Sequence, residues 1–360
     1  MNRPSGALGE TIRGGPDLAR SMVRFGATAR RQQAGFRATL SQAAQSPTDD
    51  IGKRNDHLLA LGHEIENLYP TIRDTGLALR FFRDRGIKWW TSSRSGDRSL
   101  AEAFEGPTRN LASSQACCVN FLLPLADVPG ALAAFLKCLD SDVIDVEPIV
   151  DQKGQVSQVE FEWVGWHRPL EGGAITRGAN QTSIDALIIA RIPAGLRAYL
   201  IEWKYCEEYL RPENKGAGTS GQTRRERYAH LFARTVSSFN QAAPLEDFLF
   251  EPFYQIMRLH LLRDRMMAEG VSPSLPIVDA RVVVVCPEAN TDYRHVVRAT
   301  PLGKRFPEAI TVEEVIRNTL KDPRTFAVLA QEDVVAAVRN GPLALRLEDW
   351  LDYHQTRYGW

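Results

Sequence analysis

Ser183–Ala190 reads SIDALIIA and Ala198–Tyr205 reads AYLIEWKY, and the fold turns on these two stretches. Both are rich in β-branched and aromatic residues, the composition of strands that pack on at least one face. Alternation along the second puts Leu200, Glu202 and Lys204 on one face and Tyr199, Ile201, Trp203 and Tyr205 on the other. A carboxylate and an ammonium thus share a face that is otherwise apolar. Asp185 is placed in the same way among Ile184, Leu187, Ile188 and Ile189. Burying such charges on strands is costly unless they pair or act.

The connecting stretch Arg191–Arg197 (RIPAGLR) carries Pro193 and Gly195 and reads as a turn, so the two strands are expected to form an antiparallel hairpin with a six-residue loop. Pairing 190 with 197 sets Asp185 opposite Glu202; pairing 191 with 198 sets it opposite Lys204. Either register keeps all three side chains on one face, whereas a slip of one residue sends Asp185 to the other. Facing side chains on paired strands lie about 5 Å apart, close enough for two carboxylates to share one divalent cation. Oxygen ligands with partial hydration favour Mg²⁺ or Mn²⁺ over zinc. The chemistry that fits is phosphodiester hydrolysis, in which the ion polarises the phosphoryl oxygen and acidifies a water. Lys204 is expected to orient that water and stabilise charge on phosphorus. The competing account is a buried ion-pair network. The spacing Asp-x(16)-Glu-x-Lys occurs by chance in many chains, and its placement on two adjacent apolar strands favours chemistry.

Outward from the hairpin, residues 53–85 show helical apolar spacing with a break at Pro70, and Leu111–Leu125 is another apolar block. Asp127-Val-Pro-Gly is expected to open a helix to Leu139 with Pro129 in its first turn. The run from Val156 to Val164 alternates like a strand. A flexible glycine loop at 216–221 should precede a helix over Arg224–Asn240, followed by one over Pro252–Ala268. Ile277–Cys286 (IVDARVVVVC), ended by Pro287, reads as a strand buried on both faces. These patterns predict an α/β or α+β fold with a helical N-terminal region. Four segments are expected: an Arg-rich arm (1–50), a helical region (51–126), the core (127–295) and a C-terminal extension packing on it (296–360).

Lysine plus arginine and aspartate plus glutamate tie at 44 each, which excludes a chain that holds nucleic acid or anionic membrane by bulk positive charge but not one with a local basic groove. No run of eighteen apolar residues is present, so no spanning helix is expected. Five cysteines without a CxxC pair argue against a disulfide framework or zinc knuckle and for a reducing, cytoplasmic setting. Residues 1–48 hold seven arginines against Glu10 and Asp17, a pattern that fits an arm packed on the body or touching phosphates better than a targeting signal. The seven histidines include no HxH or HxxxH pair. Trp89-Trp90 reads as a packing anchor rather than a base-stacking platform, and Cys206 lacks a histidine neighbour.

Asp185 together with Glu202-Trp203-Lys204 resembles the active-site signature of the PD-(D/E)XK nuclease superfamily, with Ser183-Ile184-Asp185 where that pattern has Pro-Asp. More closely, Thr108–Gln115 (TRNLASSQ), Phe161-Glu162, Thr182–Ala186 (TSIDA), Glu202–Glu207 (EWKYCE), Pro252–Arg258 (PFYQIMR) and Tyr358–Trp360 (YGW) resemble a family of bacterial restriction-endonuclease-like proteins. The resemblance spans roughly 108–360 and implies a restriction-endonuclease-like core of a helix, three strands, a helix and a fourth strand. It places Glu162 on the first strand, Asp185 on the second, and Glu202 and Lys204 on the third, with Glu162 as an added metal ligand; Glu207 is a weaker candidate. Arg227, His230 and Arg234 would form one stripe on the 224–240 helix, and Arg258 aligns with Tyr254 on the next. With Arg224, these arginines are the candidate phosphate contacts. A metal-dependent DNA endonuclease is the leading expectation, with restriction or anti-phage defence as its setting and a homodimer as the assembly that cutting both strands would favour. The alternatives are a nuclease of the same fold acting on RNA or structured DNA, and a non-catalytic nucleic-acid-binding module.

Overall fold

The computed structural model describes residues 24–45, 55–90, 106–166, 168–173, 181–295 and 298–360. The chain runs through α1 (Phe25–Arg37), α2 (Leu77–Arg85), α3 (Ser114–Ala126) and α4 (Ala131–Lys137) before the first strands. These are β1 (Asp145–Glu147), β2 (Ile149–Val150), β3 (Val156–Ser157), β4 (Glu160–Trp163), β5 (Ile184–Ile192) and β6 (Gly195–Trp203). Helices α5 (Gly218–Phe232) and α6 (Phe253–Glu269) lead to β7 (Asp279–Val285), and α7 (Val312–Thr319) leads to β8 (Phe326–Leu329). Helices α8 (Gln331–Arg339) and α9 (Glu348–Tyr358) follow.

β5 and β6 form the expected antiparallel hairpin in the first of the two registers: Ala190 faces Arg197, and the ladder runs to Ala186 and Ile201. One further step sets Asp185 against Glu202 rather than Lys204. The loop is shorter than six residues, because Ile192 pairs with Gly195 and leaves only Pro193 and Ala194 between the strands. Proline's fixed φ suits the first turn position. Gly195, at φ +138°, is required where it stands, since a Cβ there would lie 2.9 Å from a Val278 methyl.

The main sheet is mixed. β5 is antiparallel to β1, β4 and β6, whereas β6, β7 and β8 are parallel neighbours in that order. β7 lies inside the sheet and is buried on both sides, as its run of valines requires. Val283 and Val285 join one core with Phe121, Tyr199, Ile201, Trp203 and Trp350, and Val282 and Val284 join the other with Leu187, Leu200, Tyr228, Ile256 and Met257. Helices thus cover both faces of the sheet, the layering expected of an α/β fold. Among the described residues no single helix is long and apolar enough to cross a membrane.

Several helix boundaries differ from expectation. Pro70 does not break a helix but opens a short one, Pro70–Asp74, where its missing N–H costs nothing. Pro129 lies outside α4, which starts after Gly130 at φ +82°. α5 starts inside the supposed glycine loop, because Gly221 lets the first turn press on Gly216, where a Cβ would come within 2.0 Å of the carbonyl oxygen. It ends at Phe232 instead of Asn240, and Phe239 folds back to stack on Phe232 with centroids 4.7 Å apart.

Part of the expected arm is built into the body, while residues 1–23 lie outside the described residues. α1 lies on α9, and Gln33, fully buried, donates to the Tyr205 hydroxyl and the Arg357 carbonyl, each at 2.9 Å. Arg357 is itself fully buried. Its guanidinium reaches Gln33 Oε1 at 3.1 Å, the Asn67 carbonyl at 2.7 Å, the Leu111 carbonyl at 3.0 Å, and the Asn67 side chain and Tyr353 hydroxyl. Tyr205 follows Lys204 directly, so this network braces the end of β6.

Burial without charge partners makes two histidines acid-sensitive. His260 has neither ring nitrogen hydrogen-bonded and His354 lacks a partner at Nε2, and burial lowers each pKa to about 3. Between that value and the ordinary 6.5 the unfolded chain binds the extra protons, so the stability they contribute is complete above pH 6.5 and is lost as pH falls. By pH 5 each should cost about 2 kcal/mol. Urea midpoints measured from pH 7 to 5 should fall steeply, and His260→Leu should flatten that slope; an unchanged slope would reject the assignment.

Candidate active site

Glu202 and Lys204 stand at the C-terminal end of β6, where Lys204 extends the parallel ladder by donating its N–H to the Val285 carbonyl at 2.8 Å. Asp185, the second residue of β5, lies beside them, and its carboxylate accepts from the Trp203 N–H at 2.7 Å. Glu202 is 1% exposed and Lys204 5%. The Lys204 ammonium lies 2.7 Å from Glu202 Oε1. Gln255, on the first turn of α6, bridges the pair: its amide oxygen accepts from Lys204 at 2.9 Å and its nitrogen donates to Glu202 Oε1 at 2.6 Å. Glu202 Oε2 is left buried without a hydrogen-bond partner, as are Glu251 Oε2 and the Tyr293 hydroxyl.

Burial pushes the Asp185 carboxyl well above the usual carboxylate range, and repulsion from Glu202 and Glu162 pushes it further, with Lys204 opposing. Burial alone would discharge Lys204; Glu202, followed by Tyr209, Glu207 and Tyr293, outweighs it and holds the ammonium's pKa well above its ordinary value. Lys204 is therefore a fixed cation, and its attraction for acid is directed at one oxygen of Glu202.

Glu162 lies on β4 at φ +50°, a strained setting for a residue other than glycine. The twist sends Phe161 into one core and Trp163, two residues on, into the other. Three donors clothe its carboxylate: Trp90 Nε1 at 2.8 Å and Gln115 Nε2 at 2.9 Å on Oε1, and the Ser183 hydroxyl at 2.7 Å on Oε2. Its carboxyl is nevertheless raised, by burial first and then by Glu202, against those three bonds. Among the described residues, His, Cys, Asp and Glu side chains form no group of three gathered to enclose a metal ion. Glu207 accepts from the Tyr205 N–H at 2.8 Å and from the Ser114 hydroxyl. Cys206, with its pKa pushed to about 12 by burial, donates to the Ala112 carbonyl and is no nucleophile.

The four candidate arginines divide. Arg224 donates to the Lys215 carbonyl at 2.8 Å, and Arg258 is held by Thr182 Oγ1 at 2.9 Å and Glu171 at 3.6 Å. Arg227 and Arg234 line an open groove of about 620 Å³ between α5 and α6, together with His230. Arg234 lies beyond the end of α5, so the expected helical stripe is not continuous. The groove is not uniformly basic: Glu171, Glu226, Asp264 and Glu269 share its walls with Arg168 and Arg265.

Trp90, Gln115, Ser183 and Gln255 are the site residues that sequence reasoning missed. Gln115 and Gln255 lie inside stretches that carry the family resemblance, the only sequence signal they offer. Trp89 is the anchor expected of the tryptophan pair, stacked on Phe82 with centroids 3.8 Å apart; Trp90 is a site residue instead.

No curated protein matches the chain, and no solved structure matches it. A family model described as Restriction Endonuclease associating with ARP matches residues 92–359, which takes in every site residue named above except Trp90.

Proposed function

Because the chain belongs to the family of restriction endonucleases associating with ARP, we propose that it hydrolyses phosphodiester bonds in DNA, with Asp185, Glu202 and Lys204 as its catalytic residues. The observation that carries this is the Glu202 carboxylate: one oxygen is saturated by Lys204 and Gln255, while the other is buried, unpartnered and beside a second acid, Asp185. A structural ion pair has no use for a buried, orphaned oxygen on a carboxylate that repels a second acid. Asp185 and Glu202 would hold Mg²⁺ or Mn²⁺, hard cations suited to carboxylate oxygens. When bound, such an ion supplies polarisation of a phosphoryl oxygen and a more acidic water. Lys204 places a permanent positive charge where negative charge grows on phosphorus. Gln255 positions it and fixes which Glu202 oxygen stays free. Glu162, engaged by three donors, orders the mouth of the site and is at most an auxiliary ligand. The order α4, β4, β5, β6, α5, β7, with β1–β3 and α6 interposed, supports a restriction-endonuclease-like core, and half-buried Arg227 with exposed Arg234 are the cations on which a DNA backbone would run.

Purified protein incubated with plasmid, single-stranded DNA and RNA, with and without Mg²⁺ or Mn²⁺, tests the proposal. Cleavage of DNA only with metal is expected; cleavage of RNA alone would redirect the substrate, and cleavage of nothing would defeat the reading. Lys204→Ala should cost about a hundredfold or more in rate, the scale of losing one transition-state donor. Lys204→Arg should restore little, because a planar fork does not replace a compact ammonium. Full cleavage by the alanine variant would remove Lys204 from the mechanism.

A further inference from the structure

Trp90 sits at the rim of the site, 53% exposed. Its indole nitrogen donates to Glu162 Oε1 and its backbone N–H to Gln115 Oε1, both at 2.8 Å. These bonds turn the polar edge of the ring inward and fix its orientation. No ring contact among the described residues engages it, in contrast to Trp89, which lies flat on Phe82. The Glu162 carboxylate that holds Trp90 is in turn coupled electrostatically to Glu202 and Asp185. A rigid aromatic surface therefore stands one carboxylate away from the catalytic acids.

We propose that Trp90 is a stacking platform for one unpaired nucleobase next to the scissile phosphate, so that the site takes single-stranded or frayed DNA in preference to continuous duplex. The proposal rests on the phosphodiesterase reading of Asp185, Glu202 and Lys204. In a duplex each base is already stacked on both sides and has no free face to offer. An unpaired base has one, and an indole whose orientation is set in advance captures it without losing rotamer freedom on binding. Gln115 and Glu162 serve as positioning residues that hold the ring.

The test is equilibrium binding in Ca²⁺ of a single strand carrying 2-aminopurine and of a blunt duplex of the same sequence. Trp90→Ala should weaken binding of the single strand about tenfold, the loss typical of one base–aromatic stack, and leave duplex binding unchanged. Trp90→Phe keeps a ring but loses the Glu162 bond that orients it, so it should keep part of the single-strand binding that alanine loses while cleaving more slowly in Mg²⁺. Equal weakening on both substrates, unaltered single-strand binding, or a wild-type preference for the blunt duplex would overturn the proposal. Asp185→Asn, run in parallel, should bind at least as tightly as wild type and not cleave. If that variant is inactive while Trp90→Ala binds normally, only the stacking platform fails. If it cleaves, the active-site reading fails whatever Trp90 does.

Discussion

Asp185→Asn should bring metal-dependent cleavage below detection while raising the melting temperature of the metal-free protein. The two effects have one origin. Asp185 is a carboxylate held above its usual range by burial and by Glu202 and Glu162, so keeping it ionised in the folded state costs free energy. A folded pKa above the unfolded value of 3.8 means that the folded state loses stability as pH rises past that value. The asparagine variant escapes this loss, so its advantage should be absent near pH 4 and grow as pH rises above it. The gain measures what burial and the two neighbouring carboxylates cost the ionised form. The amide oxygen can still accept from the Trp203 N–H, so the strand end stays in place. Mn²⁺ should then raise the melting temperature of the wild type more than that of the variant. Retained cleavage, or equal stabilisation by Mn²⁺ in both proteins, would remove Asp185 from the metal site.

The largest stability change should come from Arg357, which is outside the candidate catalytic residues but braces the end of β6 through Gln33 and Tyr205. Arg357→Ala takes a buried cation away from Gln33, Asn67, Leu111 and Tyr353. Of the acceptors it served, the Asn67 carbonyl keeps the Asn120 side chain as a donor, while Gln33 Oε1, Asn67 Oδ1 and the Leu111 carbonyl lose the donor that Arg357 supplied. It also removes the packing of the guanidinium over Phe36, Tyr353 and Tyr358. Each buried acceptor left unsatisfied costs about 1–3 kcal/mol, so the losses should sum to several kcal/mol. Urea denaturation reads it directly. Arg357→Lys should recover only a part, since three donors on a point charge do not match five in a fork. A shift under about 1 kcal/mol for alanine would mean that the network relaxes at little cost, contrary to the usual penalty for buried unpaired acceptors.

The hairpin was legible because its signals agree at every level. Two short apolar runs of strand composition, a proline–glycine turn and charge confined to Asp185, Glu202 and Lys204 admit one arrangement; the choice of register between 190/197 and 191/198 and the two-residue turn needed coordinates. The doubly buried β7 was equally plain from IVDARVVVVC. Helix ends were less so. Gly216 and Gly221 read locally as flexibility, yet they are close-approach residues whose role appears only once two backbones meet. Asp185, Glu202 and Lys204 could be found because charge in an apolar strand is conspicuous. Gln255 and Gln115 are neutral polar residues at the starts of helices, where such residues are ordinary, and their work depends on which neighbour they reach. Trp90 was masked by Trp89: adjacent in sequence, one ring faces Phe82 and the other Glu162.

Strand order also sets a timetable for the nascent chain. β5 and β6 are joined by two residues and can close as soon as both have left the ribosome, but the parallel partner of Trp203 is Val285. At a synthesis rate of about 5–20 residues per second, the 82 residues from Lys204 through Val285 take roughly 4–16 s to appear. During that interval the open edge of β6, carrying Ala198 to Trp203, has no strand to pair with. The Glu202 and Lys204 charges at the end of that edge discourage pairing with another chain, as charges on an open strand do. The residues read here as catalytic would therefore also protect the half-made protein from aggregation, and Glu202→Leu or Lys204→Leu should lower soluble yield during synthesis even where the finished fold tolerates the change.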